Sequence, residues 1–213
     1  MDLGVLRNTL SAAWLLPAMA FAIAMAATPG PNNVMVAASG ATFGFRRTLP
    51  HMLGISLGFP LMLLAVAFGA GRLLRDWPWL HEAMRWVGVV YLAWLAWRIA
   101  IAPVGRPDAA PRAARPLTFL QAAAFQWVNP KAWIIAAGAI VTYITDGDAL
   151  LAQALVLAAL FVAVCMPCLA LWTSVGSGVA RVLRTPRALR AFNLAMAGLL
   201  IASLVPLVEE GLR

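Results

Sequence analysis

Two clusters of residues interrupt otherwise apolar stretches: Thr28-Pro29-Gly30-Pro31-Asn32-Asn33 and Asn129-Pro130-Lys131. Proline removes an N–H and clashes with the preceding helical turn, so a helix through Pro29 or Pro130 bends or breaks. Thr28-Pro29 and Asn129-Pro130 each read as an N-cap followed by proline at the first helical position. Two half-helices beginning there would present free N–H groups and positive dipole ends, chemistry suited to an anion. Asn32, Asn33 and Asn129 add amides that both donate and accept. Lys131 adds a cation with no acid near it in the sequence; Asp2, Asp76, Glu82, Asp108, Asp146, Asp148, Glu209 and Glu210 all fall in expected loops or termini. A charged lysine at the bilayer centre costs about 3 kcal/mol or more, a cost that a substrate carboxylate would offset. Snorkelling to an interface is the plainer role for such a side chain, but Lys131 is far from both ends of its apolar run. One proline would explain a kink; two prolines, a glycine and two asparagines exceed what a kink needs.

The elements that hold these residues follow from composition. The 213 residues are 63% hydrophobic and 11% charged, with a mean hydropathy of +0.85. Soluble domains carry roughly 25% charged residues, so the chain is an integral membrane protein. At ~20 residues per span the length allows about six spans and no separate soluble domain. Polar backbone in lipid survives only where it lines a cavity or is buried in protein. A matched pair of interrupted segments, one in each half, therefore points to a transporter's binding site. The formal charge of +8 comes from fifteen arginines and Lys131 set against eight acids. The arginines sit between apolar runs, so they read as topology and not as a nucleic-acid surface.

The first span starts near Ser11. Unbroken to Phe43 it would be about 48 Å long at 1.5 Å per residue, too long for a ~30 Å core. A break at Pro29 to Asn33 resolves this. The run from Arg7 to Ala24-Met25-Ala26 also has the form of a signal peptide, but cleavage there would discard a span directly before the break. Gly44-Phe45-Arg46-Arg47 reads as a short basic loop, followed by a second span from His51 to Ala70. Gly54 and Gly58, four apart, allow close helix approach. A loop at 71–82 precedes a third span, Ala83 to Ile101; of Trp77, Trp79, Trp86, Tyr91, Trp94 and Trp97, those near the ends fit an interfacial belt and those in the middle fit packing. Residues 103–116 form a Pro/Ala/Arg linker. The fourth span, Leu117 to Tyr143, carries the second break. A fifth runs from Leu150 to Trp172, Gly176-Ser177-Gly178 opens a basic loop, and Ala188 to Leu207 is the sixth.

Three spans per half, the first of each broken near the midplane, make an all-α fold of two inverted three-helix repeats, 1–102 and 117–213, joined by a cytoplasmic linker. An odd number of spans forces the second copy to insert upside down. With both termini outside, ten of the fifteen arginines fall inside and five outside, a bias in the expected direction. Glycine-rich faces serve internal packing or a homo-oligomer equally.

Cys165 and Cys168 form Cys-Met-Pro-Cys in an apolar run. In a soluble chain this spacing suggests redox work, which makes a membrane thiol/disulfide electron carrier the alternative function. Packing of two small side chains in a membrane helix is the simpler reading. No span holds an acidic pair and no Ser/His pair has a recognisable spacing, so hydrolysis lacks support. No metal or cofactor is expected, and the chain reads as a transporter, not an enzyme.

Pro29-Gly30-Pro31-Asn32-Asn33, then Gly40, Gly44, Arg46-Arg47 and Gly54-Ile55-x-x-Gly58, resemble the N-terminal signature of LysE/RhtB-type translocators. Asn129-Pro130-Lys131 resembles that family's second-half motif. The resemblance covers the chain in length, span count and motif order. It implies a multi-pass protein of the bacterial inner membrane that exports amino acids or related small metabolites, driven by the proton gradient. It also implies a central site of Pro29, Gly30, Pro31, Asn32, Asn33, Asn129, Pro130 and Lys131. Many members carry an acid after Pro-Gly-Pro, where this chain has Asn32. That substitution removes a carboxylate proton carrier and shifts preference away from strongly cationic substrates, leaving Lys131 or His51 to carry a proton.

Overall fold

The structure, a computed structural model, describes residues 4, 8–71, 76–102, 115–145, 147–182, 185–205 and 208–209. Most of the expected linker, 103–114, and residues 72–75 of the expected 71–82 loop lie outside them. The described residues form eight helices: α1 Ala12–Ala27, α2 Pro31–Phe43, α3 Phe45–Ala65, α4 Pro78–Ala100, α5 Phe119–Phe125, α6 Pro130–Tyr143, α7 Leu150–Val182 and α8 Pro186–Ala202. A π-helical turn, Val66–Ala70, extends α3, and a 3-10 turn, Gln126–Val128, ends α5.

The first expected span is broken as the sequence requires. α1 and α2 meet at 53° across a gap of three residues. The start of the second half-helix differs from expectation, however. Thr28 is the C-cap of α1, with its hydroxyl bonded back to the Ala24 carbonyl, and not an N-cap. Gly30 is the N-cap of α2, and Pro31, not Pro29, occupies the first helical position. Both prolines fit the start signal; the second one takes it because Pro31 disfavours the helical region for Gly30, which is extended at φ −173° and ψ −179°. In the other half Asn129 is the N-cap and Pro130 opens α6, as expected.

Two expected loops are helical, and 78–82 of the expected 71–82 loop belongs to α4. Gly44, at φ 81°, is a one-residue joint in a conformation that suits glycine, and α3 begins immediately at Phe45, taking Arg46 and Arg47 into its first turn. The fifth element continues through Gly176-Ser177-Gly178 as one helix of 33 residues, α7, about 50 Å long. Among the described residues two helices are long and apolar enough to cross a membrane, Phe45–Ala70 and Leu150–Val182, and the bent α1–α2 pair makes a third candidate. These apolar helices make the chain a membrane protein. The remaining expected spans correspond to α4, to α5 and α6 together, and to α8.

α7 is the central element, packed on α1, α2 and α3, while α8 packs on α4 and α2, and α5 packs on α3. Close approach rests on missing side chains. A Cβ on Gly40 would strike the Thr173 carbonyl oxygen, and one on Gly176 the Ala37 carbonyl oxygen, so α2 and α7 touch backbone to backbone. Gly54 and Gly58 do the same for α3 on α5, facing the Phe119 carbonyl and Ala123. The main apolar core gathers Met52, Ile55, Phe59, Ala136, Leu157 and Phe161 around α7, and a second one gathers Val34, Met35, Leu92, Ala96, Phe125 and Leu200 between α2, α4 and α8.

Candidate site at the two helix breaks

An α-helix leaves its last four carbonyls without partners, and in lipid such groups must be satisfied by protein. The end of α1 meets this demand with side chains from α2, α7 and the second break. Asn33 Nδ2 donates to the carbonyls of Ala26 at 2.8 Å and Thr28 at 2.9 Å. Trp172 Nε1, on α7, donates to Ala27 at 3.3 Å. Lys131 Nζ, from the second break, donates to Thr28 at 2.7 Å and Pro29 at 3.3 Å. The lysine without a nearby acid thus finds its partners in backbone carbonyls at the negative end of a half-helix, where a cation is favoured. Gly30 makes room for it, because a Cβ there would lie 2.7 Å from Lys131 Cδ and 3.0 Å from Nζ.

The two breaks are joined by a second polar link that sequence reasoning missed. Asn32 Nδ2 donates to Gln126 Oε1 at 2.9 Å, and Gln126 Nε2 donates back to Asn32 Oδ1 at 3.2 Å and to the Ala122 carbonyl at 2.9 Å. Gln126 is fully buried. A buried primary amide needs both its donor and acceptor groups met, and the reciprocal pair with Asn32 does this. A Gln within an apolar run, three residues before Asn129, is the signal the sequence offers for it.

Gly30, Asn32, Asn33, Asn129 and Lys131 line one cavity of about 50 Å³, closed by Met25, Ile55, Phe59, Ile135, Phe161, Cys165 and Leu169 among others. About 10–15 Å³ of such space holds one water, so this cavity suits a few ordered waters. Neither Gly30 nor Asn129 makes a side-chain cap bond, so the first turns of α2 and α6 keep uncapped ends at this cavity. Asn129 is buried and its Oδ1 has no hydrogen-bond partner. An orphan acceptor of this kind costs about 1–3 kcal/mol and is free to take a donor from a ligand. The cavity therefore offers a cation, an unpaired acceptor and two helix N-termini, with apolar walls. Of the eight expected site residues, five line it, while Pro29, Pro31 and Pro130 shape the backbone around it.

Cys165 and Cys168 are free thiols three residues apart on α7. Cys165 contributes to the cavity wall and packs into the main core. Thiol/disulfide electron transfer gains no support from this packing or from related proteins.

Related proteins point the same way as the geometry. Residues 23–208 match the LysE type translocator model. The cysteine/O-acetylserine efflux protein of Salmonella typhimurium strain LT2 is 33% identical over 135 residues, which span 63% of this chain and 65% of the relative. The protein of the same description from Escherichia coli strain K12 has the same identity and coverage. The aligned stretch thus spans just under two thirds of these relatives. No solved structure matches the chain. With its two broken helices meeting at one polar cavity and the family match running over most of its length, the chain belongs to the LysE type translocator family.

Proposed function

We propose that the chain exports small zwitterionic amino acids across the bacterial inner membrane by alternating access, opening the central cavity to one side and then the other, with the proton gradient as the driving force. Cysteine and O-acetylserine, named for the relatives, are the proposed substrates. The observation that carries this reading is the cavity shared by the two helix breaks, where Lys131 and the unpaired Asn129 Oδ1 stand together. The substrate carboxylate takes Lys131 Nζ and the uncapped first turns of α2 and α6, while its ammonium donates to Asn129 Oδ1. Neither named side chain carries a net charge at neutral pH in its thiol or ester form, which suits a cavity lined by Asn32 in place of an acid.

In this reading six spans form two inverted repeats, 1–102 and 117–213, linked by 103–116. The packing supports it: exchanging the halves turns the α1–α7 contact into the α5–α3 contact, and maps α3–α7 and α4–α8 onto themselves. The 50 Å³ cavity must widen to admit an amino acid, and Lys131 must leave the α1 carbonyls to reach a carboxylate. Exchanging the α1 carbonyls for a substrate carboxylate changes the partners of Lys131, a difference that can couple loading to movement.

The test uses purified protein in liposomes loaded with labelled cysteine or O-acetylserine, with and without an imposed pH gradient. Native protein should give gradient-dependent efflux. Lys131→Ala and Asn129→Ala should each lose at least about tenfold in rate, as removing a charged or orphan-pairing hydrogen bond implies, while still inserting and purifying normally. Unchanged efflux in both variants would remove this site from the mechanism.

A further inference from the structure

A second cavity, of about 240 Å³, lies beside α2, α3, α4 and the segment leading into α5. It approaches the ~300 Å³ at which drug-sized pockets begin, so it suits a small metabolite. Arg98 and Arg115 line it, as do Ser39, Thr42, Trp94 and His51, and no acidic side chain is among its described lining residues. Both arginines are exposed, and among the described residues neither pairs with an acid; the ion pair found among them is Arg85 with Glu82. Arg98 instead lies over the Trp94 ring, 5.2 Å from its centroid. His51 is the buried member, 2% exposed, and neither Nδ1 nor Nε2 has a hydrogen-bond partner. A neutral imidazole holds one donor and one acceptor, and buried polar groups are normally satisfied. Two unpaired cations with an unsatisfied buried imidazole form a set that a carboxylate with a neighbouring ammonium would complete.

The position ties this cavity to the central one. His51, Ile55 and Phe59 stand on successive turns of α3, and the latter two line the central cavity. On α2, Asn32 and Asn33 face the central cavity and Met35, Ser39 and Thr42 the second. α2 is therefore a wall common to both. Arg46 and Arg47 lie at the same end of α2 as the second cavity, and such arginine enrichment marks the cytoplasmic face.

We propose that the second cavity is a cytoplasmic docking site for a carboxylate-bearing zwitterion, with Arg98 and Arg115 holding the carboxylate and a His51 nitrogen accepting from the ammonium. It rests on the export reading and adds the substrate's first stop before the central cavity. Everted membrane vesicles present this face to the medium, so uptake of labelled O-acetyl-L-serine measures export from the cytoplasmic side. Arg98→Gln with Arg115→Gln should raise KM at least about tenfold, the effect of losing a charge-assisted contact, and leave the maximal rate near native. His51→Phe should raise KM as well, whatever the loss of a candidate proton carrier does to the maximal rate. An unchanged KM in these variants overturns the docking site while leaving export itself intact. Absence of native uptake would instead count against the export reading, and a binding measurement then tests the cavity directly. Purified Lys131→Ala protein titrated with O-acetyl-L-serine should show a saturable fluorescence change that Trp94→Phe removes and the double arginine variant weakens about tenfold. A change produced by phosphatidylglycerol micelles and not by the amino acid, or no saturable change, overturns the proposal.

Discussion

A methyl group on Gly30 would lie 2.7 Å from Lys131 Cδ and 3.0 Å from its Nζ, yet it would meet only the flexible end of that side chain. Gly30, at φ −173°, is in extended backbone that any residue adopts. Its absent side chain therefore serves Lys131 and not the fold. Gly30→Ala is expected to move Lys131 off the Thr28 and Pro29 carbonyls. Export should fall about tenfold or more, the equivalent of one charge-assisted hydrogen bond, while the melting temperature of the purified protein shifts by only a few degrees. A large fall in melting temperature would mean that Gly30 is structural, and unchanged export would separate the lysine's position from transport. Lys131 and Asn129 are legible in the sequence, because a cation and an amide are conspicuous in apolar surroundings. What Lys131 binds is not, since its partners are backbone carbonyls about a hundred residues earlier, and carbonyls have no residue type. Gln126 is an equally conspicuous amide, and what the sequence hides is its partner, Asn32, 94 residues earlier.

The same residue type carries different meanings within single elements. Gly54 and Gly58 announce close helix packing by their spacing, and α5 lies against both. Gly176-Ser177-Gly178 carries a spacing that equally suits a loop, and the arginines downstream favour that reading. In the structure Gly176 faces the Ala37 carbonyl, and Ser177 Oγ donates to the Gly40 carbonyl at 3.1 Å. Gly176 and Ser177 bring the backbones of α2 and α7 together, as small residues do between membrane helices. Gly178, two positions on, would place a methyl group in open space, with nothing within 4 Å, and so offers an internal control. Gly176→Val should destabilise the protein by about 3 kcal/mol or more, at the upper end of overpacking effects, because the obstacle is backbone and cannot rotate away. Gly178→Ala should be neutral or stabilising by up to about 1 kcal/mol, the gain in helix propensity. Thermal unfolding in detergent compares the two directly. Equal effects would return this stretch to the status of a tolerant connection.

Across the whole molecule the two halves pack alike but not equally. α2 follows the first break and α6 the second, so under the proposed repeat α2 on α7 and α6 on α3 are counterparts. α2 runs in backbone contact with α7, whereas α6 touches α3 over only a short stretch. In the proposed repeat, unequal arrangements of corresponding helices suggest that each arrangement is open to the other half, since packed interfaces tend to hold discrete alternatives and not a continuum. Transport would then exchange them: α2 releases α7 as α6 closes on the end of α3. Spin labels at Ala41 and Val182 report the first contact, and labels at Val141 and Phe68, both exposed, report the second. Adding O-acetyl-L-serine under a pH gradient should lengthen the first distance and shorten the second in one concerted change. The Lys131→Ala variant should lose that response, because the side chain that trades the α1 carbonyls for substrate is gone. Two distances that move in the same direction, or that move independently of substrate, would exclude an exchange of repeats. They would leave the cavity at the two breaks as a binding site whose access is gated by some smaller element, with α2, the wall it shares with the arginine-lined cavity, as the first place to look.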